Sequence, residues 1–399
     1  MIMNLFYLGN SCFEDNLKKE LLDRKLIQIN ATKERERYIF YQLLKTEHVD
    51  KFNFISFGLG EKNGVFRKVI IDNGHFISTF LGYAGISKIK YLSGLFTATA
   101  FLFSKVKSGD ILISYNLHPG YAIAIFLLKL FKKVTFVIEF EDFFHKDDFR
   151  YYFLLPFEKL GLKLADQFIA SSIGMKNYLI NKEPQKKCIV HSGYRTKVKS
   201  NIDETFNVDN EIETVLGNNN SVKILYSGSL DKPRGVIDLV ENFISKTSNN
   251  FELIITGRGL LEKYINEKAL KYSNIKYYGL LSDLEYEELL DKSSICVSSQ
   301  HPSITLNFPS KITRYLSKGK FVMSTKGSSI MFSEFAPLIY FYDYGNPLSF
   351  WEVIENEIMN SNSTSYMIGD SFNKIFDKMD KELIDRLNLL TNQAKLSDN

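Results

Sequence analysis

The sequence predicts an α/β protein made of two doubly wound domains, each wrapped around a parallel sheet. Short apolar runs of strand length alternate with longer amphipathic stretches through both halves of the chain, the pattern that helical crossovers between parallel strands require. The alternation breaks once, over residues 201–220, where the chain turns acidic and Asn-rich around Gly217. The charge balance changes there too: the first 200 residues hold 30 Lys and Arg against 19 Asp and Glu, and the remainder hold 20 against 27.

A length of 399 residues with 45% hydrophobic content allows two or three domains, each with a substantial core. Cys12, Cys188 and Cys296 lie far apart with no CxxC pair, so neither a disulfide framework nor a structural zinc site is expected, and a reducing cytoplasm is the expected compartment. The longest weakly polar stretch, Tyr91 to Ser104, is short for a bilayer span, and no secretory segment is read at the start. A soluble or peripheral protein is expected. The basic first half suits an anionic membrane surface or a phosphorylated acceptor, whereas no nucleic-acid reading motif accompanies the charge.

In the first domain, residues 1–200, strands are expected at Asn4 to Leu8, Asn53 to Phe57, Asp110 to Ser114, Val134 to Ile138 and Gln167 to Ser171. Ligands gather beyond the carboxyl ends of strands in such sheets. Gly9 after the first strand is therefore a candidate for contact with a ligand, or simply makes the turn. The fourth strand runs into Glu139-Phe140-Glu141-Asp142, where period-two alternation places Glu139 and Glu141 on one side. Apolar residues over 89–102 and 127–131, flanked by lysines, form aromatic and basic clusters that can lie on a membrane or equally pack on the sheet with solvated lysines; core is preferred for most of the apolar residues and any membrane-facing role for the lysines.

The second domain, residues 221–345, repeats the pattern with strands at Lys223 to Ser227, Phe251 to Thr256, Ile275 to Tyr278, Ser294 to Ser298 and Phe321 to Ser324. Helices are expected after Gly235, Leu260, Ser282 and Pro309. The turn Gly228 to Gly235 joins a strand to a helix and carries Ser229 and Arg234. Such turns let backbone amides meet phosphate while an Arg adds paired donors. Ser282 and Glu285 form a capping box, and Leu284, Leu289 and Leu290 are expected to bury one side of that helix. In the stretch FPSKITRYLSKGK, Phe308 to Lys320, a Pro precedes a short helix whose Ile312, Tyr315 and Leu316 point inward while Ser310, Lys311 and Arg314 are free to face a ligand. Gly319 marks its end. Helices over 348–358 and 372–390 close the chain.

In this order, Ile224 to Thr325 resembles the donor half of bacterial glycosyltransferases of the GT-B fold, the retaining family-four type, with their FPSK helix and following strand. The resemblance implies two Rossmann-like domains facing a cleft, with a terminal helix that crosses back to the first. It implies a donor nucleotide sugar, UDP-hexose by preference, held by Gly228, Ser229, Arg234, Gly257, Gly279, Ser303, Ser310, Lys311 and Arg314. Two positions depart from the family: Arg314 stands where a ribose-binding Glu is usual, and Leu306 stands eight places earlier where a second Glu is usual. Ser229 replaces a common Arg. The run Glu139 to Asp142 resembles a Glu-Tyr-Glu-Asp segment of capsule and O-antigen glycosyltransferases. That likeness implies Glu141 or Asp142 as the group that binds and helps deprotonate an acceptor hydroxyl, with Gly9, His118 and Glu139 on the acceptor side. The implied partners are a nucleotide-sugar donor, a glycan or lipid-linked glycan and an anionic membrane surface, with neither cofactor nor metal. A non-catalytic nucleotide-sugar binder and a sugar-nucleotide epimerase are the alternatives.

Overall fold

The computed structural model describes residues 3–9, 31–56, 64–85, 89–116, 119–141, 151–195, 221–246, 248 and 250–397. The expectations for His118, Asp142 and the segment 201–220 lie outside the described residues. The chain divides into two units, residues 1–194 with 378–399, and residues 195–377.

The first unit runs β1 (Asn4–Gly9), α1 (Ala31–Leu43), β2 (Lys51–Ser56), β3 (Gly64–Phe66), β4 (Val69–Asp72), β5 (Phe76–Phe80), β6 (Tyr83–Gly85), α2 (Ile89–Lys105), β7 (Ile111–Tyr115), α3 (Pro119–Phe131), β8 (Thr135–Phe140), α4 (Tyr151–Leu164), β9 (Gln167–Ala170), α5 (Ile173–Lys182) and β10 (Lys187–Val190). Its eight-stranded sheet has the order β10-β9-β8-β7-β1-β2-β5-β4, parallel throughout except where β4 meets β5. β3 and β6 form a separate antiparallel pair. β7 is buried at every residue because β1 and β8 flank it, which is why it reads as a continuous apolar run. On one face of the sheet Tyr7 stacks on Phe54 with centroids 5.5 Å apart, and Phe40 of α1 meets Phe54 and Phe76 edge-on at 5.2 and 5.1 Å.

The second unit contains β11 (Val222–Ser227), α6 (Val236–Ile244), β12 (Phe251–Thr256), α7 (Glu262–Lys271), β13 (Ile275–Tyr277), α8 (Asp283–Asp291), β14 (Ile295–Ser298), α9 (Lys311–Ser317), β15 (Phe321–Thr325), β16 (Ile339–Tyr342) and α10 (Pro347–Glu352), which continues as a wider turn over Val353–Ile358. Its six strands are all parallel in the order β13-β12-β11-β14-β15-β16. The last helix, α11 (Ser365–Ser397), starts in this unit and ends in the first. There Leu383, Leu387 and Leu390 join the core of Tyr7 and Phe40. No helix among the described residues is long and apolar enough to cross a membrane.

Strand order reverses between β1 and β7 in the first unit and between β11 and β14 in the second, and the loops at such reversals part to leave a crevice. In α8 the capping box is present, but Leu284 is 80% exposed and Leu290 alone is fully covered, because the helix rests on the sheet through its last turn. Glu287 is half-buried and paired with Lys318. α9 ends in a Schellman motif: Gly319 N–H donates to Leu316 O at 2.9 Å and Lys320 N–H to Tyr315 O at 3.1 Å.

Trp351 is the one tryptophan of the chain, and it lies buried against Phe243, Phe251 and Phe350 with its indole N–H on Asn242 O at 3.0 Å. Phe243→Ala opens a cavity beside it. Denaturant unfolding of the second unit, followed by Trp351 fluorescence, is expected to lose about 3–5 kcal/mol, and a loss below about 1 kcal/mol would contradict this packing.

Candidate functional site

In the second unit, the loops after β11, β12, β13 and β14 are tied into one structure at the switch point. Gly228 N–H donates to Thr256 O at 3.0 Å, and Leu230 N–H donates to Arg258 O at 2.8 Å. Gly257 N–H and the Thr256 hydroxyl both donate to Gly279 O at 2.7 Å. On the other side, His301 N–H donates to Pro233 O and the Ser299 hydroxyl to Arg234 O, both at 3.0 Å. Gly228 and Gly257 have positive φ of 141° and 133°, values that L-residues rarely adopt. A Cβ on Gly257 would overlap the Gly228 carbonyl, and one on Gly228 would overlap the Lys311 ammonium. The two glycines therefore let two loops and a lysine meet at one point.

That lysine is the most unusual charge in the unit. Lys311 Nζ lies 4.8 Å from the centroid of Tyr226, whose own hydroxyl donates to Ser229 O at 2.8 Å. Burial, reinforced by the Arg234 guanidinium, pushes the Lys311 ammonium down to about 7. Among the described residues neither Lys311 nor Arg234 makes an ion pair. Nearby, the Ser229 hydroxyl is held by Asp231, whose Oδ1 accepts from Leu260 N–H at 3.2 Å. The structure thus gathers Gly228, Ser229, Arg234, Gly257, Gly279 and Lys311 at the carboxyl ends of β11 to β13.

Arg314 is used differently. Its Nε donates to Glu287 Oε1 at 2.8 Å, and its guanidinium stacks on Tyr286, 4.5 Å from the ring centroid. Glu287 also receives Lys318 at 2.9 Å. Burial would raise the Glu287 carboxyl, but the bonds and charges of Lys318 and Arg314 outweigh it and hold the group below its ordinary value. Arg314 therefore joins α8 to α9. Ser310 is half-buried beside α9 and makes no side-chain cap. Ser303 is exposed, with its hydroxyl on His301 Nδ1 at 2.7 Å. Because Ser303 N–H also donates to Nδ1, at 3.2 Å, the neutral imidazole carries its proton on Nε2.

In the first unit, Glu139 and Glu141 lie on the same side of β8's end, as the alternation requires, and both approach one buried guanidinium. Arg35 Nε is 2.8 Å from Glu139 Oε1 and 3.9 Å from Glu141 Oε1. The other nitrogens of Arg35 donate to Gly193 O at 2.6 Å and His191 O at 2.8 Å. Burial pulls this guanidinium down, but the charges of Glu139 and Glu141 prevail and raise it. Glu139 is fully enclosed and accepts the Tyr7 hydroxyl at 2.7 Å. Burial, then the charges of Glu139 and Glu36, lift Tyr7 well above its usual range.

Glu141 is 5% exposed and accepts the Tyr115 hydroxyl. Its backbone is fixed by Asn116, whose Oδ1 accepts Glu141 N–H at 3.0 Å and whose own N–H donates to Glu139 O at 2.7 Å. Asn116 has φ 42°, a left-handed conformation that Asn tolerates better than most residues. Gly9 ends β1 with no room for a side chain against Glu36, Phe54 and Tyr7, and its carbonyl accepts from Tyr121 at 3.1 Å.

Arg35, Tyr7, Tyr115 and Asn116 were not read from the sequence as site residues. A signal for Arg35 existed: it shares one helical stripe with Ile39 and Leu43, so the inner face of α1 begins with a charge.

No model of a protein family matches this chain, and no curated protein matches it. Solved structures do. Sucrose-phosphate synthase from Thermosynechococcus elongatus is 12% identical, with a TM-score of 0.65 over 99% of this chain and 100% of that one. Anabaena HepE in complex with UDP and glucose is 14% identical, with a TM-score of 0.62 over the whole of both chains. The lipopolysaccharide outer core galactosyltransferase WaaB in its apo form is 14% identical, with a TM-score of 0.56 over the whole of both chains. At these identities the likeness is one of fold: two Rossmann-like parallel-sheet domains of GT-B architecture.

Arg35 is the pivot of the first unit's cluster. Arg35→Met leaves Glu139 enclosed without its counter-charge, and removal of one partner from a buried pair costs about 3–5 kcal/mol. The expected result is that loss in denaturant unfolding followed by far-UV circular dichroism, with the Trp351 fluorescence transition unmoved. An unchanged first-unit transition would show that the pair does not hold this end of the sheet.

Proposed function

We propose that this protein is a glycosyltransferase that moves a sugar from a nucleoside-diphosphate sugar, UDP-hexose by preference, to a lipid-linked or growing bacterial surface glycan. Retention of anomeric configuration, metal independence and a peripheral position at the inner membrane face belong to the same proposal. One observation carries it: Lys311 and Arg234 converge at the switch point of the second unit without an anionic partner among the described residues, and a diphosphate supplies the missing charge. The structures of Anabaena HepE with UDP-glucose and of WaaB, titled a galactosyltransferase, support the reading by analogy of fold.

In this mechanism the bond between the sugar's anomeric carbon and the β-phosphate oxygen breaks, and a bond from an acceptor oxygen to that carbon forms on the same face. Negative charge grows on the departing diphosphate, where Lys311 and Arg234 stabilise it. Glu141, oriented by Tyr115 and Asn116, takes the acceptor's hydroxyl proton. Glu139 stays bound to Arg35 and Tyr7 and fixes the strand end on which Glu141 sits.

A non-catalytic binder of the same ligand is the second reading, favoured by Arg314. A guanidinium engaged by Glu287 stands where a ribose-binding carboxylate is usual in the family that the sequence resembles.

The deciding experiment is a donor screen for released nucleoside diphosphate, with and without membrane-lipid extract. Extract-dependent release, lost in Glu141→Gln and in Arg234→Ala, is the expected result. Binding without release for every donor would favour the second reading.

The depressed Lys311 adds a proton-linkage prediction. A diphosphate favours the ammonium form, so UDP binding at pH 8 takes up close to one proton, and affinity falls as pH rises through about 7. Calorimetric titration in buffers of different ionisation enthalpy measures the uptake. Lys311→Met is expected to abolish it and to weaken binding by roughly tenfold or more, whereas equal uptake in that variant would remove Lys311 from the site.

A further inference from the structure

Two helices of the first unit turn large apolar side chains outward. On α3, Ile123, Phe126, Leu130 and Phe131 recur at the spacing of one helical face, and all four are exposed. On α2, Phe96 and Phe103 are exposed two turns apart. Phe96, Leu130 and Phe131 are 71, 62 and 66% exposed. The helices pack side by side, and the rings of Phe103 and Phe131 meet edge to face with centroids 6.3 Å apart, which joins the two stripes into one surface. The opposite faces, with Ala98, Leu102, Ala124, Ile125 and Leu128, are buried against the sheet. The outward residues therefore add nothing to the core, which corrects the preference for core at Phe96, Leu130 and Phe131. Clusters of this kind on a folded surface mark a place of contact.

The charge carried by the two helices themselves has one sign. Between Ile89 and Lys133 the only carboxylate is Asp110, which is buried and spends its oxygens on the backbone amides of Asn4 and Lys107. The same stretch carries Lys90, Lys105, Lys107, Lys129, Lys132 and Lys133. Lys105, Lys107 and Lys133 are exposed where the two helices end, and Lys132 Nζ lies 4.5 Å from the centroid of Phe103. Lys129 is paired with Asp166 at 2.8 Å.

We propose that this surface docks the protein on an anionic lipid bilayer, with Phe96, Phe126, Leu130 and Phe131 entering the boundary between headgroups and acyl chains. The lysines meet the lipid phosphates. A second copy of the chain fits the charge poorly, because a two-fold contact through this patch brings the same lysines towards each other. The inference rests on the membrane-side location proposed above and not on the transfer chemistry, so it is read without donor or acceptor.

The test is co-sedimentation of the full chain with phosphatidylcholine vesicles that contain or lack phosphatidylglycerol. Binding to the anionic vesicles, weakened by salt and absent from the neutral ones, is the expected result. The triple variant Phe126→Ser, Leu130→Ser, Phe131→Ser should bind the anionic vesicles roughly tenfold or more weakly, with an unchanged circular dichroism melt because these side chains are exposed. A conservative variant, Phe131→Trp, reports on depth: its indole emission should shift to the blue on anionic vesicles and be quenched by brominated acyl chains. Failure of the wild-type chain to sediment with anionic vesicles, or equal sedimentation of the triple variant, overturns the proposal. So does a concentration-dependent dimer that the triple variant abolishes, which assigns the surface to a second copy. UDP titration of the same preparation reads the second unit independently, so loss of vesicle binding with retained UDP binding rejects this surface without touching the donor site.

Discussion

Parallel pairing governs what this protein can do. Where all neighbouring strands run one way, every carboxyl end opens on the same edge of the sheet and every helix must return along a face. In the second unit that rule brings the loops after β11, β12, β13 and β14 to one place, although Gly228 and His301 stand far apart in the chain. In the first unit it sets Gly9, Tyr115, Glu139 and Glu141 at one rim. The side chains at these ends differ, but their convergence follows from sheet order alone. Gly228 and Gly257 then decide how closely the loops approach, because neither position has room for a Cβ.

The two strand-end clusters handle charge in opposite ways. Around Arg35 the charges are matched inside the protein: the guanidinium meets Glu139 and Glu141, and its remaining donors go to two backbone carbonyls. A buried ion pair is a weak source of net stability, yet breaking it by removing one partner is costly. Around Lys311 the charges are left unmatched. Burial strips the Lys311 ammonium of water beside the Tyr226 ring and Arg234 adds repulsion, so the ammonium gives up its proton more readily. The first arrangement closes its charges within the protein; the second leaves Lys311 and Arg234 without a counter-charge among the described residues.

Much of the architecture was legible in the sequence because the central strands are buried on both faces. The run Phe251 to Thr256 coincides with β12, and the other inner strands fall within a residue or two of their expected limits, except β5, where no strand was expected. Edge strands were less legible: β13 was expected at Ile275 to Tyr278, but β10, β4 and β16 were not. β10 is partly exposed along its length and β4 alternates between exposed and partly covered residues, and each offers only three consecutive apolar residues, short of the usual strand signal. The donor-side loops were readable as glycines at strand ends, whereas the Arg35 cluster was not, since a charged stretch such as Lys33-Glu34-Arg35-Glu36-Arg37 reads as a solvated helix turn until its neighbours are known. The outward phenylalanines of α2 and α3 failed in the opposite sense: hydropathy assigns them to a core, and only the orientation of each helix shows which face the sheet covers.

Arg314 shows how local packing redirects a residue that a motif would assign to a ligand. Its place on α9 is the one the motif predicts, one turn after Lys311, but α8 lies alongside and presents both Tyr286 and Glu287 to it. A guanidinium gains from stacking and from a carboxylate at once, and it has no acceptor to offer a sugar hydroxyl. Glu287 in turn is shared with Lys318, so release of Arg314 towards a ligand would leave a half-buried carboxylate with one cation instead of two. The pair therefore favours the packed state. Lys311, three residues earlier, has no such partner among the described residues, so the same helix holds one cation packed against a neighbour and one left without a counter-charge.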